Sequence, residues 1–136
     1  MSKAIPKIQK YMTTSPISID RKSSVAAAHK VMRDNDIRHL PVLEGESLAG
    51  IVSIRDLHLI ETLKDVDPEK VLVEDAMSTS TYTVSPDADL DEVVAEMAEK
   101  KYGSAIVMQN HKVVGVFTTV DAMKALAELL QARLAK

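Results

Sequence analysis

The chain has 136 residues, 46% of them hydrophobic and 27% charged, and a net charge of −3, the balance of a globular protein long enough to bury about two thirds of its unfolded surface. That charge gives no general attraction to nucleic-acid phosphates or anionic lipid, and the lack of cysteine excludes disulfide frameworks, thiolate catalysis and Cys-ligated zinc. No apolar run approaches the roughly 18 residues of a membrane span, and "MSKAIPKIQKYM" lacks the apolar stretch of a signal peptide, so a cytoplasmic protein that binds neither membrane nor nucleic acid is expected.

In chain order, "SPISI" (15–19) alternates like a short strand. A helix follows over "SVAAAHKVMRDN" (24–35), with Val25, Ala28 and Met32 on one apolar stripe. "HLPVLEGESLAGIVS" (39–53) reads as two strands around a turn, and a helix starts at or near Asp56. The polar segment "LKDVDPEK" (63–70) reads as a linker. The same series then recurs. "STYTV" (80–84) is a strand, and "DLDEVVAEMAEKK" (89–101) is a helix with Leu90, Val93, Val94 and Met97 on its stripe. Asp89 with Glu92 three residues on fits an acidic capping box. "SAIVMQNHKVVGVFT" (104–118) gives two more strands, and a long amphipathic helix begins near Asp121.

The recurrence is an ungapped tandem repeat at a spacing of 65 residues, which relates Gly50 to Gly115, Asp56 to Asp121, Met12 to Met77, Met32 to Met97 and Thr14-Ser15 to Thr79-Ser80. Apolar positions match as well: Ile8 with Val73, Ile19 with Val84, Ile51 with Val116. Two copies are too few for a solenoid, so one compact pair with a pseudo-twofold axis is expected. The boundaries read as repeat one over 5–62, the linker over 63–70, repeat two over 71–130 and a helix end over 131–136.

The heptads "GIVSIRD" (50–56) and "GVFTTVD" (115–121) put a hydroxyl and a carboxylate at a strand-to-helix corner. An ionised carboxylate offers only acceptors, which suits the two donors of a ribose diol. Phosphate is matched by helix N-terminal amides, hydroxyls and cations, and Arg38, His39 and Arg55 supply basic groups around the first corner alone. The same residues fit a second reading: Asp56, Asp121, Ser53 and Thr118 are all good helix caps, the glycines suit a bulge or close strand packing, and the arginines suit a solvated surface. The four histidines, at 29, 39, 58 and 111, show no metal-ligand spacing, so no metal site is expected. The methionines read as core packing. No nucleophilic triad, nucleophile elbow or Walker loop is present, and no enzyme is expected.

Two β-α-β-β-α copies, each led by an "M-S/T" segment ("YMTTSPISI", "AMSTSTYTV") and ending in G-h-h-[S/T]-x-x-D, with "RHLPV" in the first, resemble a tandem CBS-domain pair, or Bateman module, over roughly residues 5 to 130. The resemblance implies an α/β (α+β) fold and a stand-alone regulatory module that binds adenosyl compounds (AMP, ADP, ATP or S-adenosylmethionine) in the cleft between the copies, with no obligatory cofactor. It assigns Asp56 to the ribose, Ser53, Arg55, Arg38 and His39 to phosphate, and Thr79, Tyr82, Val84 and Tyr102 to the base. The symmetry-related cleft takes Asp121 and Thr118, with Thr14, Ile17, Ile19 and Ile37 opposite. There Gly103-Ser104 replaces Arg38-His39 and Val120 replaces Arg55, so a nucleoside-like ligand or none is expected. The resemblance also implies a homodimer and a regulated partner protein. The apolar stripe Met123, Leu126, Leu129, Leu130 and Leu134 suits that dimer contact or a cover for the core. The alternative is a structural, partner-docking module that keeps the fold without nucleotide.

Overall fold

The computed structural model describes residues 4–14 and 16–134. Ser15 of the Thr14-Ser15 match and residues 135 and 136 of the expected helix end lie outside the described residues. The fold is mixed α/β, and each repeat follows the expected order. A single 3-10 turn at Ile8–Lys10 leads into β1 (Thr13–Thr14), β2 (Ile19–Asp20), α1 (Val25–Asn35), β3 (His39–Glu44), β4 (Ser47–Ser53) and α2 (Ile54–Glu61). Then come α3 (Val73–Ala76), β5 (Thr83–Val84), α4 (Leu90–Lys100), β6 (Ser104–Gln109), β7 (Lys112–Thr118) and α5 (Thr119–Leu134). Both final helices start two residues before the expected aspartates, because Ser53 and Thr118, not the aspartates, occupy the capping positions.

The chain forms two compact units, and these do not follow the sequence repeats. One is Pro16–Thr81; the other joins Met1–Ser15 to Tyr82–Lys136. The leading segment of each repeat packs on the body of the other, with the same bonding in both. Ile8 N donates to Ala88 O and Leu90 N to Pro6 O, each at 2.9 Å, while Val73 N donates to Ser23 O at 2.7 Å and Val25 N to Val71 O at 2.8 Å. These pairs superpose on the 65-residue repeat. Each inserted residue fills a core: Val73 is fully buried with Val25, Met32, Leu40, Val52 and Leu57, and Ile8 with Val93, Met97, Val107 and Phe117. The backbone amides that open α1 and α4 are thereby satisfied by main-chain carbonyls of the leading segments, as buried helix ends require.

In the first unit the sheet order is β2-β3-β4, with β2 parallel to β3 and β4 antiparallel to it. In the second it is β1-β7-β6-β5, with β5 parallel to β6. The extra edge is equivalent in both units: β1 lies against β7, and Ser78 makes an isolated bridge to Ile51 of β4. Ser24 caps α1, its side chain accepting from Ala27 N at 3.0 Å. The Asp89–Glu92 capping box does not form. Asp89 stands at the N-cap without a side-chain cap bond, because its carboxylate takes the Lys7 ammonium instead.

Candidate functional site

β4 ends at Ser53 and α2 begins at Ile54, and the corner is locked by a capping box. Asp56 N donates to Ser53 Oγ at 3.2 Å, while Asp56 Oδ2 accepts from Ser53 N at 2.8 Å and from Ser53 Oγ at 3.0 Å. Asp56 is thus the third helical residue of α2 and caps it from within. Both bonds fall on Oδ2, so Oδ1 has no protein donor among the described residues. The corner between β7 and α5 repeats this arrangement: Asp121 Oδ2 accepts from Thr118 N at 2.9 Å and from Thr118 Oγ1 at 3.2 Å. Capping and ligand binding need not compete, because they use different oxygens. Each corner presents a half-buried, oriented carboxylate with one oxygen that has no donor among the described residues.

The two corners differ in their cations. Arg38 O accepts from Ile54 N at 2.8 Å, which ties the start of β3 to the start of α2. His39 lies directly opposite Ser53 across the β3–β4 ladder. Burial pushes the His39 imidazole below its usual value, Arg38 adds to the depression, and the Asp56 charge opposes both. At neutral pH His39 is therefore a neutral ring, able to donate and accept, and not the cation its basic type suggests. Arg38 and Arg55 are exposed. Neither has a carboxylate within salt-bridge reach among the described residues, whereas Arg21 pairs with Glu44 and Glu74, and Arg33 with Asp34. The second corner has Gly103, Ser104 and Val120 at the matching positions, so its carboxylate stands without basic neighbours from those positions.

The exchange of leading segments regroups the expected site residues. Thr79 joins Arg38, His39, Ser53, Arg55 and Asp56 in the unit Pro16–Thr81, one residue beyond the Ser78 bridge. Thr14 joins Thr118 and Asp121 in the other unit, where it pairs with Gly115. Tyr82, Val84 and Tyr102 belong to the Asp121 unit, and the two tyrosine rings lie against each other with centroids 5.2 Å apart. Burial raises the Tyr82 phenol above its usual value. Ile17, Ile19 and Ile37 belong to the Asp56 unit; Ile17 is exposed, Ile37 half-buried, and Ile19 a core residue at 8% exposure. Two histidines set aside on sequence spacing, His29 and His58, converge with Glu61. The available signal was His58-x-x-Glu61, two ligand types one helical turn apart.

A family model described as "CBS domain" matches residues 8–59 and 73–128. Inosine-5'-monophosphate dehydrogenase of Korarchaeum cryptofilum is 30% identical over 122 residues, which cover 89% of this chain but 24% of that enzyme. The crystal structure of the AcuB protein of Vibrio cholerae is similar at a TM-score of 0.85 and 28% identity, covering 98% of each chain. The CBS domain pair of protein MJ0100, in complex with 5'-methylthioadenosine and S-adenosyl-L-methionine, has a TM-score of 0.83 at 21% identity over 92% of this chain and 98% of that one. CBSX2 in complex with AMP has a TM-score of 0.80 at 21% identity, over 90% and 97%.

Proposed function

This chain belongs to the CBS-domain family, and from that premise we propose that it is a regulatory module that senses adenosyl compounds and catalyses no reaction. The observation that carries this reading is the Asp56 carboxylate, held by Ser53 through Oδ2 with Oδ1 open, beside two arginines that have no carboxylate partner among the described residues. In this reading Asp56 accepts from the ribose hydroxyls, and Arg38 and Arg55 take phosphate with the amides that open α2. His39 donates one neutral hydrogen bond, and Ser53 and Thr79 add hydroxyls. The Asp121 corner, with Thr118 and Thr14, takes a nucleoside-like ligand without phosphate. The complexes of MJ0100 and CBSX2 support the ligand class. No cofactor is obligatory, and the ligand acts on a partner protein only as far as it binds one arrangement of the repeats better than another.

A homodimer accompanies this reading. α5 exposes Met123, Leu126, Leu129, Leu130 and Leu134. Part of that stripe lines an apolar groove of about 370 Å³ with Ile5, Leu90 and Val94. An exposed apolar face of this kind marks an association surface. Light scattering should give a dimer mass, and Met123→Glu with Leu130→Glu a monomer mass.

The test is thermal unfolding with adenosine, AMP, ATP, S-adenosylmethionine and GTP. A ligand at 100 times its dissociation constant adds about 2.7 kcal/mol. Adenosyl ligands should raise Tm and GTP should not. Asp56→Ala should abolish the response to AMP and ATP, and Arg38→Ala with Arg55→Ala should remove the preference for AMP over adenosine. A folded, nucleotide-free protein that responds to none of these at millimolar concentration is a partner-docking module, with Asp56 and Asp121 serving only as caps.

A further inference from the structure

His29 on α1 and His58 and Glu61 on α2 meet within the unit Pro16–Thr81. One ligand atom from each lies within 4.8 Å of the others. His29 Nδ1 and Glu61 Oε2 are 2.6 Å apart, and the His29 ring stands edge-on to His58 with centroids 5.5 Å apart. Three features make this more than a chance histidine–carboxylate contact. First, α2 puts His58 and Glu61 one turn apart on the same face, and α1 presents His29 to that face from the flank of its buried stripe. Second, Glu61 is the last residue of α2, where the negative end of the helix dipole favours a cation. Third, the neighbouring cations of α1 are drawn elsewhere, Lys30 and Arg33 both to Asp34.

We propose that His29, His58 and Glu61 form a binding site for a divalent transition cation of the zinc class, with one coordination position left to water. Two imidazoles with a carboxylate are a donor set that selects such ions over magnesium or calcium. Metal–ligand bonds of about 2.0–2.2 Å put tetrahedral ligands about 3.3 Å apart, so small side-chain rotations close the existing cluster onto an ion. The ion would clamp α1 to the C-terminal end of the helix whose N-terminal end carries Asp56. The site is independent of the adenosyl reading and stands or falls without it.

The test uses the full chain without an affinity tag, stripped with a chelator and titrated with Co²⁺, whose visible absorption reports its coordination. Wild type should bind one equivalent per chain at micromolar concentration, with Zn²⁺ displacing the signal and raising Tm. His58→Ala removes an exposed ligand and should weaken binding about tenfold or more. Glu61→Gln should do the same, which covers the case in which one variant fails to fold. His111→Ala, in the exposed β6–β7 turn, should bind like wild type. Absence of stoichiometric binding in wild type overturns the proposal. So does binding that survives both His58→Ala and Glu61→Gln, or binding lost in His111→Ala, since each assigns the metal to scattered surface groups.

Discussion

One carboxylate oxygen of Asp56 caps α2 while the other faces no protein donor among the described residues, and this division sets what substitutions there should do. Ser53→Ala removes the cap acceptor and should cost about 1 kcal/mol. Urea unfolding of the ligand-free protein reads that cost, and Thr118→Ala should cost a similar amount at the equivalent corner. His39 gives a pH dependence with a defined sign. Burial lowers its folded value, so near and below the ordinary histidine value of about 6.5 the unfolded chain binds the proton more readily. This contribution to stability is complete above that value and is lost as pH falls through the depressed folded one. His39→Gln should flatten the acid limb, read as urea midpoints at about pH 7 and pH 5 against wild type. The residue type suggested a cation at position 39. Which form it takes depended on its burial, with Asp56 and Arg38 nearby, which no local pattern reveals.

The strands explain the two glycines. A β-carbon on Gly50 would meet Ser78 O at 2.5 Å and Met77 Sδ at 2.8 Å, and one on Gly115 would meet Met12 Sδ at 2.5 Å and Thr13 O at 3.0 Å. Both glycines adjoin a bulge, where the register slips between Val42 and Leu43 and again between Val107 and Met108. The bulge and the close approach foreseen for them are therefore both present, and the approaching segment is the lead of a repeat. Gly50→Ala should destabilise by about 1–3 kcal/mol, and by more than Gly115→Ala. At Gly50 the nearest atom is a backbone carbonyl, and at Gly115 it is the flexible end of Met12. Calorimetric Tm values of the two variants check the order. The helix stripes were legible because their period is local. The acidic capping box at Asp89 was not, because the Lys7 that takes its carboxylate lies far away in sequence.

For the chain as a whole, the exchange of leading segments decides where it can be cut. Val73 is fully buried in the core of Pro16–Thr81, and Ile8 is fully buried in the other core. Ile8→Ala should therefore cost about 2–5 kcal/mol, although Ile8 sits in a short turn near the N-terminus. A fragment 16–81 should keep helical circular dichroism and a cooperative melt, within the narrow margin of so small a unit. A fragment 1–62, cut where the sequence repeat ends, lacks Val73 and should have neither. Equal behaviour of the two fragments would mean that the inserted residue contributes little to the core.

Repeat length, element order, the amphipathic faces and the two hydroxyl–carboxylate corners all follow from the sequence, because each rests on spacings within about a dozen residues or on one copy matching the other. The partners of the leading segments, the neutral state of His39 and the convergence of His29, His58 and Glu61 come only with the tertiary structure. Each depends on groups that are distant along the chain, and their approach is set by which apolar residues fill which core. Ile8 and Val73 match each other in sequence, and that match says they do the same job. It does not say that each does so in the core built by the other repeat, since a buried side chain is fixed by packing against its neighbours, and those neighbours are known only once the chain has folded.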